Sequence, residues 1–185
     1  MRTFGLVVEG VYDEAALTEF VRKCLEAEVE VIIRQSEDSA RLMRRFPGFL
    51  EEFRYVKAGS NVDKAIVIRD ADRRRPAELV KRMEGKISNR RYPFPVELLV
   101  VVEELEAWLL ADEIAIEAVT RIRPQPVANP ERLNDPKNRL RRVLSDASTA
   151  YTPEIARKIA ATSRVDVLKA RCPSFARFHE AVIDC

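Results

Sequence analysis

Histidine and cysteine are scarce in this chain, and their scarcity narrows the chemistry. His179 is the only histidine, and Cys24, Cys172 and Cys185 are odd in number, far apart and outside any CxxC pair. Neither a disulfide framework nor a zinc site follows from such a set, so any metal would be held by oxygen. No apolar run approaches the roughly 20 residues that a membrane-spanning helix requires, and the apolar start of the chain is only a strand long. A cytoplasmic protein without membrane contact is therefore expected. The glycine-lysine loop of a Walker A motif is missing, so any ATPase would be a separate partner chain. There is no internal repeat, no low-complexity tract and no linker rich in glycine and serine to divide the chain.

What is present suits a charge-rich globular protein: 46% of the 185 residues are hydrophobic and 34% charged, which sets the chain apart from disordered sequences. Apolar runs at residues 4–8, 29–33, 65–68 and 96–102 read as strands. Between them lie helical patterns. Residues 13–26 carry an apolar face of period 3.6. Ser36 or Ser39 can cap a helix through Met43, which Pro47-Gly48 interrupts before a second segment at 49–56. Residues 59–61 read as a turn, and Pro76 opens a helix over 77–85. Strand and helix in alternation predict an α/β fold with a mostly parallel four-stranded sheet and right-handed crossovers. Past Val119 the composition shifts. Pro124, Pro126 and Pro130 mark an irregular connection, followed by helical segments at 136–145, 153–161, 165–170 and 173–183. The expected organisation is an α/β core over residues 1–119 with a helical region over 120–185 packed on it.

Carboxylates stand where the strands end. The stretch TFGLVVEGVYDE, residues 3–14, puts Glu9 at the carboxyl end of a buried strand and Asp13 at the start of a helix. AIVI at 65–68 leads through Arg69 into Asp70-Ala71-Asp72. Open α/β sheets bind ligands at the carboxyl ends of their strands, and aspartates at i and i+2 can converge on one hard cation. A third acidic stretch, VEELEAWLLAD at 102–112, offers Glu103, Glu104 and Glu106, with Trp108 as a core anchor. Pattern alone does not choose among these three glutamates. Glu103, Glu104 and Asp112 are expected to be exposed, and His179 to be a packed or surface side chain.

Net charge is only +2, so the distribution of charge is more informative than its sum. Arg69, Arg73, Arg74 and Arg75 flank the Asp-Ala-Asp. Arg41, Arg44, Arg45, Arg54 and Lys57 precede it, and Lys137, Arg139, Arg141 and Arg142 follow. Basic clusters around an acidic centre suit a phosphodiester substrate, although solvated helix faces are the plainer reading of any single cluster.

These residues carry a resemblance. Glu9-Gly10 after a hydrophobic strand, Asp13 four residues after Glu9, and Asp70-Ala71-Asp72 after another strand resemble the TOPRIM superfamily of topoisomerases, primases and nucleases. More closely, VVEGVYDEAAL, ELEAWLLAD, NDPKNRL and CPSFARF look like a family of bacterial and archaeal TOPRIM-like proteins related to RloB. The resemblance implies a TOPRIM-like, Rossmann-like core. It also implies Glu9 as general acid or base, and Asp70 and Asp72 as ligands of Mg2+ or Mn2+. Asp13 matches an acidic position of the primase and nuclease branches, and Glu106 the late acidic residue that completes a metal site. Arg73, Arg74, Arg75 and Lys137 are the candidates for phosphate contact. A topoisomerase would need a nucleophilic tyrosine on further domains, for which 185 residues with Tyr12, Tyr55, Tyr92 and Tyr151 leave no room. The expected activity is metal-dependent phosphodiester cleavage or nucleotidyl transfer on nucleic acid, in a defence or mobile-element setting. The alternative is a non-catalytic module that binds nucleic acid or a partner ATPase.

Overall fold

The computed structural model describes residues 1–56 and 60–184, so Lys57, Gly59 and Cys185 lie outside the described residues. Strands β1 (Arg2–Val8), β2 (Val29–Gln35), β3 (Lys64–Asp70) and β4 (Val96–Val101) form one sheet in the order β2-β1-β3-β4, and every pairing is parallel. Each apolar run expected to be a strand is one. The α/β fold read from alternation is thus the fold observed. No helix among the described residues is long and apolar enough to cross a membrane.

Helices α1 (Val11–Leu25), α2 (Ser39–Glu52) and α3 (Pro76–Ile87) make the crossovers. The break expected at Pro47-Gly48 does not occur: α2 runs straight through Pro47, and its cap is Asp38, whose side chain accepts from Arg41 N at 2.7 Å. A proline inside a helix removes one backbone bond and crowds the preceding turn. Here Leu42, Phe46, Phe49 and Leu50 line one face of the whole element and are buried together, and that burial outweighs the local penalty. The chain after Glu52 tightens into a 3-10 turn, Phe53–Tyr55, where the sequence pattern continues the helix.

Strand alternation sends side chains to two cores. Phe4, Leu6, Val8, Ile66 and Ile68 face α1 and the C-terminal helices, whereas Val7, Ala65 and Val67 face α2 and α3. Gly5 sits on the second face, where an added Cβ would lie 2.6 Å from the Phe53 ring. Gly5→Ala should therefore push Phe53 out of a fully packed position and destabilise the fold by about 1–3 kcal/mol in urea unfolding. A neutral result would mean that this face is looser than it looks.

After β4 the chain is helical: α4 (Glu106–Leu109) and α5 (Glu113–Thr120) fall almost wholly within the first 119 residues, and the helical region beyond holds α6 (Pro136–Asp146), α7 (Pro153–Thr162), α8 (Val165–Arg171) and α9 (Pro173–Ile183), with a 3-10 turn at Pro130–Arg132. Proline at the first turn opens α6, α7 and α9, where its missing N–H costs nothing. Leu140, Leu144, Ile159, Phe175 and Phe178 belong to the same buried cluster as Leu6 and Ile66 of the sheet. Trp108 lies at the junction, fully buried, with its ring 5.1 Å from Phe175 and 6.0 Å from Phe20 in edge-on contact.

The strand order has a consequence for function. The chain leaves β1 toward β2 on one side and returns to β3 on the other, so the loops after β1 and β3 diverge. In open parallel sheets that divergence opens a crevice at the carboxyl edge.

Candidate functional site

Glu9 follows β1, and Asp70 is the last residue of β3, so both carboxylates are delivered to that crevice. A cavity of about 420 Å3 lies there, lined by Glu9, Gly10, Tyr12, Asp13, Asp70, Glu106 and Lys137, among others. Of the three glutamates between β4 and α5, it is Glu106, on the buried face of α4, that enters the site. Glu103 and Glu104 line a smaller neighbouring hollow with Asp72, Arg73 and Asp135.

Three of the carboxylates are held by backbone and the fourth by side chains. Glu9 Oε1 accepts from Asp70 N at 3.3 Å, linking the two strand ends directly. Asp70 Oδ1 accepts from Leu105 N at 3.0 Å, tying β3 to the start of α4. Asp13 reaches back one turn, its Oδ2 accepting from Gly10 N at 2.9 Å, which satisfies a donor at the open end of α1. Glu106 Oε1 accepts from Tyr151 Oη at 3.1 Å and lies 3.5 Å from Lys137 Nζ.

The loops at this edge are strained. Asp72, Arg73 and Glu103, with φ of 49°, 64° and 61°, adopt the left-handed region, as does Glu37 after β2 with φ 77°. L-residues with a Cβ pay for that conformation, and it persists where surrounding contacts over-determine it. Here Ala71 N donates to Val101 O at 3.0 Å and Asp72 N to Glu103 O at 3.2 Å, which clamps the loops after β3 and β4 together. Asp72 is consequently turned outward, its side chain 46% exposed.

Electrostatics join what the two hollows separate. Burial is the chief reason that Asp70 is held well above the usual carboxylate range, and the charges of Asp13, Glu9, Glu106 and Asp72 add to it in that order. The other four acidic residues proposed for the site from the sequence thus act on Asp70, whereas Glu103 and Glu104 do not figure among its causes. Glu9 is pushed up to about 7, first by burial and then by Asp13 and Asp72. Asp13 is raised to about 6 by burial, with Glu106 adding to the effect against the Gly10 N–H.

Two cations answer five carboxylates. Arg69 is buried, with Nε 4.0 Å from Glu9 Oε1 and Nη2 3.8 Å from Asp72 Oδ2; that Nη2 has no hydrogen-bond partner among the described residues. Lys137 lies over the Tyr12 ring at 5.4 Å, and burial lowers its pKa less than Glu106 and Glu104 raise it. Lys137, a candidate for phosphate contact, is thus engaged inside the acidic site. Arg73, Arg74 and Arg75 are exposed; Arg73 lines the neighbouring hollow, and Arg75 Nη1 lies 3.4 Å from Glu78 Oε1.

Asp112 departs from expectation. It is fully buried, caps α5 by accepting from Ile114 N, and its carboxylate accepts from Arg164 N, Nε and Nη2 at 2.7–2.9 Å. Burial would raise its pKa, but the Arg164 bonds outweigh it and hold the group below the usual range. Asp112 is a clamp between α5 and α8, remote from the cavity lining.

Sequence reading missed Tyr151 and underrated Arg69. Tyr151 packs against Tyr12 with centroids 4.8 Å apart and the rings tilted by 35°, and it reaches the site from just before α7, a pairing that no local spacing encodes. Arg69 did leave a signal, because an arginine inside the apolar run AIVIRD must find a buried partner.

A family model described as a domain of unknown function, DUF4276, matches residues 8–183. The chain belongs to this family. No curated protein and no solved structure matches it. The match to the DUF4276 model spans the acidic edge of the sheet and the C-terminal helices alike, so the site and the helices that wall it fall within one family unit.

As the side chains stand, no group of three or more His, Cys, Asp or Glu among the described residues could hold a metal ion. The cluster is therefore an acidic cavity with an excess of negative charge. That excess makes stability depend on pH with a definite sign. A carboxylate whose folded pKa is raised stabilises the fold below its unfolded value and loses that contribution as pH rises through the folded value. For Glu9 the window runs from 4.5 to about 7, and the displacement corresponds to about 3 kcal/mol. Asp13 acts in the same direction between 3.8 and about 6. Asp112 and Glu113, both lowered, act oppositely and withdraw stability only as the solution becomes more acidic. The melting temperature in EDTA should accordingly peak near pH 5 and decline toward pH 8. A curve still rising between pH 6 and 8 would contradict the clustering.

Proposed function

We propose that the acidic cavity is the site of metal-dependent phosphodiester cleavage or nucleotidyl transfer on nucleic acid. The observation that carries this reading is the gathering of Glu9, Asp13, Asp70 and Glu106 around one cavity, with the charge of Asp72 also bearing on Asp70 and with Arg69 and Lys137 as the countercharge among the described residues. Packed carboxylates either take up protons or take up a cation, and at neutral pH a hard dication relieves the repulsion more completely. The donor type suits Mg2+ or Mn2+, since every candidate ligand is a carboxylate oxygen, and the side chains would have to turn toward one another to gather round the ion. Asp70 would hold the ion together with Asp72 once the exposed Asp72 side chain swings inward, and Asp13 and Glu106 would complete its surroundings. When bound, such an ion polarises a phosphoryl group and lowers the pKa of an attacking water.

The chain's own residues supply the rest. Glu9, with a pKa of about 7, is matched to exchanging a proton at neutral pH, as a general acid or base requires. Gly10 lines the cavity, and an added Cβ there would meet nothing within 4 Å, so the backbone beside Glu9 leaves room for a bulky anion. The exposed Arg73, Arg74 and Arg75, on the loop after β3 that carries Asp72, would neutralise backbone phosphates. The resemblance to TOPRIM proteins related to RloB supports the same assignment, including a defence or mobile-element setting and an ATPase as a separate partner chain.

The test is incubation of labelled single- and double-stranded DNA and RNA with the protein in Mg2+ and in Mn2+, with EDTA as control. Cleavage that EDTA abolishes is the expected result. Absence of metal-dependent cleavage on all four substrates would replace this reading with that of a non-catalytic module binding nucleic acid or a partner.

A further inference from the structure

We propose that the β4 edge of the sheet is the contact surface of a two-fold symmetric dimer, in which β4 strands of two copies of this chain pair antiparallel. This goes beyond the acidic site and does not depend on it. β4 pairs with β3 on one side only, so its outer backbone groups have no sheet partner among the described residues. Natural proteins usually guard such an edge with charge, proline or a bulge. The opposite edge is guarded in that way: β2 carries Glu30 and Arg34, and Arg34 Nε lies 2.5 Å from Glu52 Oε2. β4 reads VELLVV, with no proline, and its one charge, Glu97, turns back to Lys64 Nζ of β3 at 3.6 Å. The strand's central residues, Leu98 and Leu99, stay partly exposed. An open edge of this composition is a template for another strand.

Beside the edge lies a groove of about 820 Å3, formed by Ala77, Val80, Lys81 and Glu84 of α3, by β4 and by Arg177 of α9. Its charges identify the occupant. Lys81 and Glu84 are both exposed, stand one turn apart near the middle of α3, and pair with no opposite charge among the described residues. A two-fold axis through the middle of β4 sets the two α3 helices side by side and antiparallel. Lys81 of each copy then comes level with Glu84 of the other, so the surface is complementary to itself, as an isologous contact requires. The continued sheet would have eight strands, and the partly exposed Val80 and Leu98 would meet their own copies across the axis.

The experiment is sedimentation equilibrium of the full chain over a range of concentrations, with charge-swap variants. The expected wild-type species has twice the mass of the 21.2 kDa chain. Lys81→Glu alone and Glu84→Lys alone each oppose like charges twice per dimer and should weaken association by about tenfold. The double variant restores the pairing and should recover wild-type association, a result that a contact with a different protein would not produce. Hydrogen exchange should show protection of the 96–101 amides that grows with concentration. A wild-type chain that is monomeric throughout, or a dimer indifferent to both single swaps, would overturn the proposal; both outcomes leave the cleavage assay unaffected.

Discussion

Asp70→Asn is expected to abolish metal-dependent cleavage and, in the same protein without metal, to raise the melting temperature. The two effects have one cause. Asp70 is the group on which the other four carboxylates act, and burial keeps it reluctant to ionise. An amide of the same shape removes that charge while its oxygen can still accept from Leu105 N, so the tie between β3 and α4 survives. Relief of repulsion on this scale should stabilise the metal-free protein by about 1–3 kcal/mol near pH 8, and by less at pH 5, where the cluster is already partly protonated. Cleavage should fall by at least a hundredfold, because a neutral ligand holds a dication far less firmly. Mg2+ should raise the melting temperature of the wild type and leave that of the variant unmoved. Asp72→Asn should also lose activity but stabilise less, since its side chain is 46% exposed and solvent already screens it. If Asp70→Asn cuts as fast as the wild type, the acidic cavity is not the reactive site. If it melts lower than the wild type without metal, the repulsion described here is absent.

How far the fold could be read from the chain follows from where its information is local. The four strands were legible because each is a short β-branched run bounded by breakers, and their alternation with helices leaves few topologies. The C-terminal helices were legible from their proline openings, and α9 begins and ends where the pattern places it. Pro47 misled because a local rule about proline lost to the long-range burial of Phe46 and Phe49. Asp112 misled for a related reason: an aspartate in a run of polar and apolar residues looks solvated until a distant Arg164 is folded against it.

The site divides in the same way. Glu9, Asp13 and Asp70 follow directly from strand ends, which sequence can locate. The choice of Glu106 over Glu103 and Glu104 depends on the left-handed turn at Glu103, which rotates the chain before α4. Tyr151 and the engagement of Lys137 depend on how α6 and α7 dock, and spacing along the chain carries nothing about docking.

That docking rests on Trp108, whose removal should have the largest effect on stability of any single change described. The indole is fully buried, edge-on to Phe175 and Phe20 and 5.4 Å from Phe178, and its Nε1 donates to Ser174 Oγ at 2.9 Å. Its contacts join α1, α4 and α9, so it pins the C-terminal helices to the sheet. Trp108→Ala leaves a cavity at that junction and should cost about 3–5 kcal/mol in urea unfolding. Trp108→Phe keeps most of the ring contact but leaves the Ser174 hydroxyl without its donor, and about 1–2 kcal/mol is the expected loss. The effect should also reach the acidic cavity, because Glu106 opens the four-residue helix that Trp108 anchors. Calorimetric titration with Mn2+ should therefore show weaker binding by Trp108→Ala than by Trp108→Phe, even at temperatures where both variants are folded. A loss below about 1 kcal/mol in the alanine variant would mean that the helical region is not held to the sheet at this junction, and the wall of the site formed by Tyr151 and Lys137 would need another support.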